Sequence, residues 1–333
     1  MEKIETILYS HHDIIEGTGE PSSNDPRYID YREKWEELPL KKEVSKFPLH
    51  LDIEVTNLCN LKCPMCYRHT MREKEGVMDF ELFKKIIDEG KKYGLSSANL
   101  SWRGEPLLHP KFFDMVKYAK EQGVIDVRIN TNGTLLKNDK IEKLIQSRID
   151  KVIFSVDGAT KDTYENIRIG ADFYKVTTNI RELIHKRDSM KKEKPSVEMQ
   201  IIDMKPTRKE IGKFIETWRN TVNRIIVVMY RNPFGKEKDR FRVEHTYTKK
   251  FPCPQLWQRL VIGWSGTIYK CCGDYAGLAV LGDAKKEKLY EVWHGDKLNK
   301  IRDLHKNYEF NKIASCKMCE FNKYPKNKRT WNI

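Results

Sequence analysis

Cys59, Cys63 and Cys66 fall within eight residues, in the run Thr56-Asn57-Leu58-Cys59-Asn60-Leu61-Lys62-Cys63-Pro64-Met65-Cys66. Three soft thiolates at C-x3-C-x2-C spacing can close on one face of an iron–sulfur cube and leave its fourth iron without a protein ligand. An open metal position is what a bound substrate or cofactor needs. Zinc is the alternative, but it would have to borrow a fourth ligand from a distance. Five more cysteines lie after residue 252: Cys253, Cys271, Cys272, Cys316 and Cys319. Four thiolates from one region can saturate a second cluster or a tetrahedral zinc ion, and spacing alone does not separate the two.

The elements that must position these thiols are legible from periodicity. Leu51 to Val55 alternates apolar and polar residues, as a strand does. Asp79 caps a helical pattern that ends near Gly94. Strands then read at Ala98 to Trp102, Val127 to Asn130, Lys151 to Val156, Val197 to Met204 and Arg224 to Tyr230. Helices read between them, at about 110–122, 139–147, 171–191 and 207–221. Repeated strand–helix units predict an α/β fold with a parallel sheet and right-handed crossovers, either doubly wound or an incomplete barrel. The first cysteine run follows the first of these strands directly, in the kind of loop where α/β folds place chemistry. Residues 1–48 read as a polar, irregular extension with a short helix near Tyr28 to Glu37. Residues 49–231 read as the α/β domain. After residue 231 the alternation stops, so 232–333 reads as a smaller domain held by something other than a large core.

The first cysteine run resembles the radical S-adenosylmethionine (SAM) superfamily, whose signature is C-x3-C-x-Φ-C with Φ apolar, here Met65. The resemblance implies a partial (β/α)6 barrel with a [4Fe-4S] cluster on Cys59, Cys63 and Cys66. It also implies SAM chelating the open iron and a 5′-deoxyadenosyl radical that abstracts hydrogen from a substrate. Arg103-Gly104-Glu105-Pro106 is similar to the family's GGE segment, which receives the SAM amino group. Arg103 stands where Gly is usual and is expected to put an extra charge near the barrel mouth. Asn130, Ser155 and Asp157, at the ends of the next two strands, match segments that line the SAM pocket. Arg168 matches an arginine that, with a serine like Ser155, holds the SAM carboxylate, a task suited to a guanidinium fork. Singly, each of these has an ordinary explanation as turn glycine, helix cap or surface charge. Their recurrence at successive strand ends is the stronger signal.

The later cysteines resemble a twitch domain, the shortened SPASM domain: C-x12-G-x4-C over Cys253, Gly266 and Cys271, then C-x2-C at Cys316 and Cys319. This implies one auxiliary [4Fe-4S] cluster on those four cysteines and leaves Cys272 unassigned. Cys272 is then a small buried hydrophobe, an alternative ligand, or a thiol that gives a hydrogen atom to a substrate radical. The substrate class implied is a small polar or anionic molecule, with an electron donor such as flavodoxin or ferredoxin. Dehydrogenation or epimerisation of a sugar, nucleotide sugar or cyclitol is expected. Maturation of a ribosomally made peptide is the alternative, which the short N-terminal extension leaves little room for.

Bulk composition sets outer limits. Lys and Arg number 62 against 48 Asp and Glu, a net charge of +14 that suits either a lysine-rich solubilising surface or an anionic partner. No RNA-binding signature accompanies the charge, so a non-catalytic, nucleic-acid-binding metal module is a minor alternative. The longest apolar stretch, Ile225 to Tyr230, is far too short to span a bilayer. Met1 to Glu5 carries two acids and no apolar h-region, so no secretory signal is expected and the cytoplasm is the default address. Cysteines there are read as metal ligands or catalysts before disulfides.

Overall fold

The computed structural model describes residues 12–19, 24–71, 73–231, 239–244, 247–317, 319–321 and 323–325. Met1 to Glu5, and residues 326–329 of the Lys-rich tail, lie outside the described residues. Strand β1 (His12–Glu16) and helix α1 (Pro26–Lys41) precede a run of alternating units. These are β2 (His50–Ile53), α2 (Phe80–Tyr93), β3 (Ser97–Asn99), α3 (Phe112–Glu121), β4 (Asp126–Thr131), α4 (Asn138–Gln146), β5 (Lys151–Ser155), α5 (Lys161–Ile167), α6 (Phe173–Ser189), β6 (Ser196–Asp203), α7 (Ile211–Trp218) and β7 (Arg224–Met229). Neighbours from β2 to β7 all pair in parallel, giving the unclosed six-stranded sheet of a partial barrel.

Local chemistry sets these boundaries. Asp79 accepts hydrogen bonds from the N–H groups of Glu81 and Leu82, and Gly94 ends α2 in the left-handed region at φ 76°. Between those caps Leu82, Phe83, Ile86 and Ile87 form one buried stripe, each contributing roughly 1.5–3 kcal/mol on burial. The sheet divides its two faces by period two. Leu51, Ile53, Ala98, Val127, Ile129, Val152, Phe154, Val197, Met199 and Ile225 pack under the helices in one core. The opposite face is polar: His50 bonds Ser97, Ser97 bonds Asp126, and Asp52 accepts from Asn99.

Three features depart from the sequence reading. The described part of the first 48 residues is not irregular, because β1 pairs antiparallel with β7 and α1 runs 16 residues. Helix α1 closes the N-terminal end of the polar face: Trp35 packs edge-on to His50, and Tyr28 Oη meets Lys151 Nζ at 3.1 Å. Second, α5 is a separate short helix, which the polar stretch before α6 did not reveal. Third, the C-terminal segment shares the barrel's core. Strand β8 (Tyr247–Lys250) and helix α8 (Gln255–Gln258) lead into β9 (Arg259–Ile262), which pairs in parallel with β2. Strands β10 (Thr267–Tyr269) and β11 (Val280–Asp283) extend the same sheet antiparallel. Helices α9 (Leu289–His294), α10 (Asp296–Lys306) and α11 (Ala314–Lys317) and strand β12 (Lys323–Pro325) complete the described chain. Trp257, Leu260, Ile262, Ile268 and Trp293 belong to the same apolar cluster as the barrel helices. Among the described residues no helix is long and apolar enough to cross a membrane.

Arg103 does not stand free at the mouth. Its Nε and Nη2 each donate at 2.7 Å to the two carboxylate oxygens of Glu54, and both side chains are buried. It also pairs with Glu73, lies 3.9 Å over the Trp102 ring and donates to the Tyr275 carbonyl. Breaking a buried pair from one side costs about 3–5 kcal/mol, because the other charge is stranded. Arg103→Met is therefore expected to lower the melting temperature of the cluster-loaded protein markedly. Glu54→Gln added to Arg103→Met should restore part of the loss. A double variant melting no higher than the single one would contradict this account.

Candidate active site

The loop after β2 carries Cys59, Cys63 and Cys66 across the C-terminal end of the sheet. Thr56 pairs with Val77 in an isolated bridge, and Asn57 ties the loop to Gly76 and Lys74. The three thiols lie within electrostatic reach of one another, and burial raises the pKa of each. Met65 is buried with Leu61, Cys63, Ile167, Met204, Tyr230 and Phe241, so the thiols sit against a dry apolar wall. Gly104 is required here by contact. A Cβ on it would lie 2.2 Å from the Thr56 carbonyl oxygen and 2.7 Å from that of Leu58. The Glu105 N–H donates to the Leu58 carbonyl at 2.7 Å.

Glu105 is buried, and three protein groups already donate to it: Thr131 Oγ1 at 2.8 Å, the Asn132 N–H at 2.8 Å and the Leu107 N–H at 3.2 Å. It thus fastens the loop after β3 to the loop after β4. Arg168, the C-cap of α5, pairs with Asp157 at 2.6 Å and approaches Cys63 Sγ to 4.0 Å. Its Nε is buried without a hydrogen-bond partner among the described residues. Asp157 has no free aim into the pocket, since its other oxygen accepts from the Ile202 N–H at 2.8 Å. Ser155 and Asn130 sit half-buried on the polar face of β5 and β4. Asn132 went unnoticed in the sequence. Its amide donates to Asn60 and lies 4.0 Å from Cys59 Sγ.

Among the later cysteines, Cys272 lies within electrostatic reach of Cys271. Cys271, Cys319 and Cys316 all lie within electrostatic reach of Cys253. Lys270, 2% exposed, donates to Cys271 Sγ at 3.2 Å, and His305 Nε2 lies 3.5 Å from Cys316 Sγ. Burial opposes the Lys270 charge, yet Cys271, Cys316 and Asp274 hold its pKa up. A buried ammonium facing sulfur suits anionic thiolates, so the donor set fits a metal cluster. Cys272 faces elsewhere. Its Sγ is 3.3 Å from Gln255 Oε1, and its charged neighbours are Arg259, Asp52 and Arg231. Burial pushes its thiol up to about 11, so it carries its proton at neutral pH.

The two cysteine groups meet through aromatic rings. Tyr67, next to Cys66, stacks on Tyr275 with ring centres 3.5 Å apart and planes 8° apart. Trp102 Nε1 donates to the Cys272 carbonyl at 2.9 Å. Beneath them Arg259 pairs with Asp52 at 3.0 Å. Burial opposes the Asp52 charge, but Arg259 and His50 hold its carboxyl well below the usual range. None of Tyr67, Tyr275, Arg231 or Arg259 carries a spacing that sequence reasoning could read as a site.

Known proteins place this arrangement. Residues 53–190 match the radical SAM superfamily, and residues 253–320 match the SPASM iron–sulfur cluster-binding domain. The chain is 26% identical over 319 residues to the tungsten-containing aldehyde ferredoxin oxidoreductase cofactor-modifying protein of Pyrococcus furiosus, covering 82% of this chain and 89% of that one. Among solved structures it is similar to anSMEcpe with bound AdoMet, at a TM-score of 0.61 and 18% identity, covering 83% of this chain and 91% of that one. It is similar also to BtrN in complex with AdoMet and 2-DOIA, at a TM-score of 0.57 and 19% identity, covering 83% and 94%. The chain is accordingly a radical SAM enzyme with a C-terminal SPASM domain, working with S-adenosylmethionine and two [4Fe-4S] clusters.

Proposed function

We propose that this enzyme removes a hydrogen atom from a carbinol carbon of a small polar substrate, a sugar, nucleotide sugar or cyclitol, and leaves it oxidised or inverted. The observation that carries this reading is Cys272, a protonated thiol apart from the other four and beside the polar face between the two cysteine groups. Cys59, Cys63 and Cys66 would hold the first cluster, and Cys253, Cys271, Cys316 and Cys319 the second. When bound, the first cluster and SAM supply an oxidant able to break an unactivated C–H bond. Arg168 offers an unpaired Nε beside Cys63 for a carboxylate, and Asp157 fixes its plane. Glu105 works mainly by joining two loops and keeps acceptor capacity for an ammonium group. The polar face bonds hydroxyl groups, and the Tyr67–Tyr275 pair limits water. A reductant must deliver electrons, flavodoxin and ferredoxin being the suitable classes.

A second reading is favoured by one observation, the similarity to the Pyrococcus furiosus protein over 82% of this chain. On that reading the substrate is an organic cofactor or its precursor, and the same residues serve.

Anaerobic reconstitution should give about eight irons per chain, and the Cys59→Ala, Cys63→Ala, Cys66→Ala triple variant about four, with SAM cleavage lost. Four irons and one zinc in the unaltered chain would remove the second cluster from this scheme.

Arg168→Lys keeps a cation for Asp157 but loses the fork. SAM binding should weaken about ten- to hundredfold, corresponding to roughly 1.5–3 kcal/mol for a charge-assisted contact, with both clusters assembled. Unchanged SAM affinity by calorimetry would show the pocket to be elsewhere.

Deuterium at the reacting carbon should pass into 5′-deoxyadenosine, read by mass spectrometry. Cys272→Ser separates the two outcomes. If the thiol returns a hydrogen atom, the variant should still cleave SAM and take deuterium but give no inverted product. If product forms at the unaltered rate, Cys272 is not the donor and oxidation through the second cluster is the remaining route.

A further inference from the structure

Strand β7 ends at Tyr230-Arg231, at the same end of the sheet as the first cysteine loop. Two other cations around this end have counter-charges: Glu54 for Arg103 and Asp157 for Arg168. Arg231 has no carboxylate partner among the described residues. Its Nε is buried and makes no hydrogen bond there. The guanidinium lies 4.5 Å over the Phe321 ring, which supports its plane and forms no ion pair. Its electrostatic neighbours are Tyr275, Tyr67, Cys272 and Cys319. Neither Tyr67 nor Cys272 offers it a carboxylate. The Tyr67 hydroxyl instead donates to the Arg231 carbonyl at 3.3 Å and fixes the residue in place.

A half-buried guanidinium whose Nε has no hydrogen-bond partner is costly to keep. A site tolerates it where a ligand arrives with the missing charge, and the planar fork matches the oxygens of a phosphate or carboxylate. We propose that Arg231 is the oxyanion-binding residue of the substrate site, receiving a phosphate or carboxylate of the substrate between the Tyr67–Tyr275 pair and Cys272. This rests on the reading of that space as the substrate site. It narrows the substrate to a small anionic molecule held with its reacting carbon near Cys272. It also gives part of the +14 net charge a specific use.

The test uses the whole chain, anaerobically reconstituted and saturated with SAM. Calorimetric titration with pyrophosphate, inorganic phosphate or malonate should show one site per chain for at least one of them. Pyrophosphate or phosphate binding with no malonate binding identifies a phosphorylated substrate, and the reverse identifies a carboxylate. Arg231→Met should weaken the bound oxyanion at least about tenfold, and Arg231→Lys should restore part of the loss. Phosphorus-31 or carbon-13 ENDOR of the reduced, unaltered protein needs no variant and should show the bound anion coupled to a cluster. No oxyanion binding, equal affinity in Arg231→Met, or absence of that coupling overturns the proposal. So does an Arg231→Met variant whose only change is the second cluster's midpoint potential, since Arg231 would then serve the cluster. Deuterium transfer to 5′-deoxyadenosine by the unaltered enzyme without oxyanion binding removes the subsite and leaves the hydrogen-abstraction reading intact. Oxyanion binding without any such transfer from sugars or cyclitols does the opposite.

Discussion

Three consecutive residues hold three parts of this molecule together, and the strongest contact among them is the buried pair between Arg103 and Glu54. Arg103 reaches forward to the Tyr275 carbonyl and Glu54 accepts from the Trp264 N–H, so the pair joins β2 to the SPASM segment. Gly104 presses its backbone on the cysteine loop at a distance no side chain allows. Glu105 then grips the loop after β4. Loss of water from both charges is offset only because the two hydrogen bonds are parallel and the remaining donors find carbonyl or carboxylate oxygen. Such a pair contributes less to net stability than to register. The register it sets is the one that matters: the loop bearing Cys59 to Cys66 against the loop bearing Cys271 and Cys272.

With that register fixed, the sheet's two faces take separate tasks. The apolar face under the helices provides the driving force for folding. The polar face would be a liability in an ordinary α/β protein. Here α1 closes it at one end, and hydrogen bonds link His50 to Ser97, Ser97 to Asp126 and Asn99 to Asp52 near that closed end. His50 is pushed down to about 4 by burial, so it enters this network neutral. Arg259 Nε near that closed end, and Arg168 Nε and Arg231 Nε towards the open end, are left without hydrogen-bond partners among the described residues.

Much of this was legible in the sequence, for physical reasons that also explain the rest. Strands β2 to β7 show because one face is buried, which imposes period two. Helix α2 shows because Asp79 and Gly94 cap it. The cysteine runs show because one metal site needs several thiolates within a few residues. Pairings between distant segments leave no local period. Strand β9 beside β2 joins residues about two hundred apart, and β1 on β7 is as remote. Glu54 reads as an exposed strand residue until Arg103 is brought to it. Helix α5 is too short and polar to show a stripe, although it sets Arg168. Arg231 and Arg259 look like surface charge in a chain with 62 basic residues, and only burial distinguishes them.

The same logic bears on why Cys271 and Cys272 are neighbours with different fates. Cys271 turns toward Lys270, Cys253 and Cys316, where a buried ammonium and an imidazole favour thiolate sulfur. Cys272 turns toward the polar cavity and gives its proton to an amide oxygen, where burial keeps the thiol neutral despite Arg259 nearby. A thiolate is a metal ligand, and a neutral thiol has a hydrogen atom to give. On the function proposed above, consecutive residues would serve as a ligand of the electron-accepting cluster and as the hydrogen donor. Trp102 fixes that segment by donating to the Cys272 carbonyl. On that proposed function, the fate of a substrate radical would be a competition between these two neighbours.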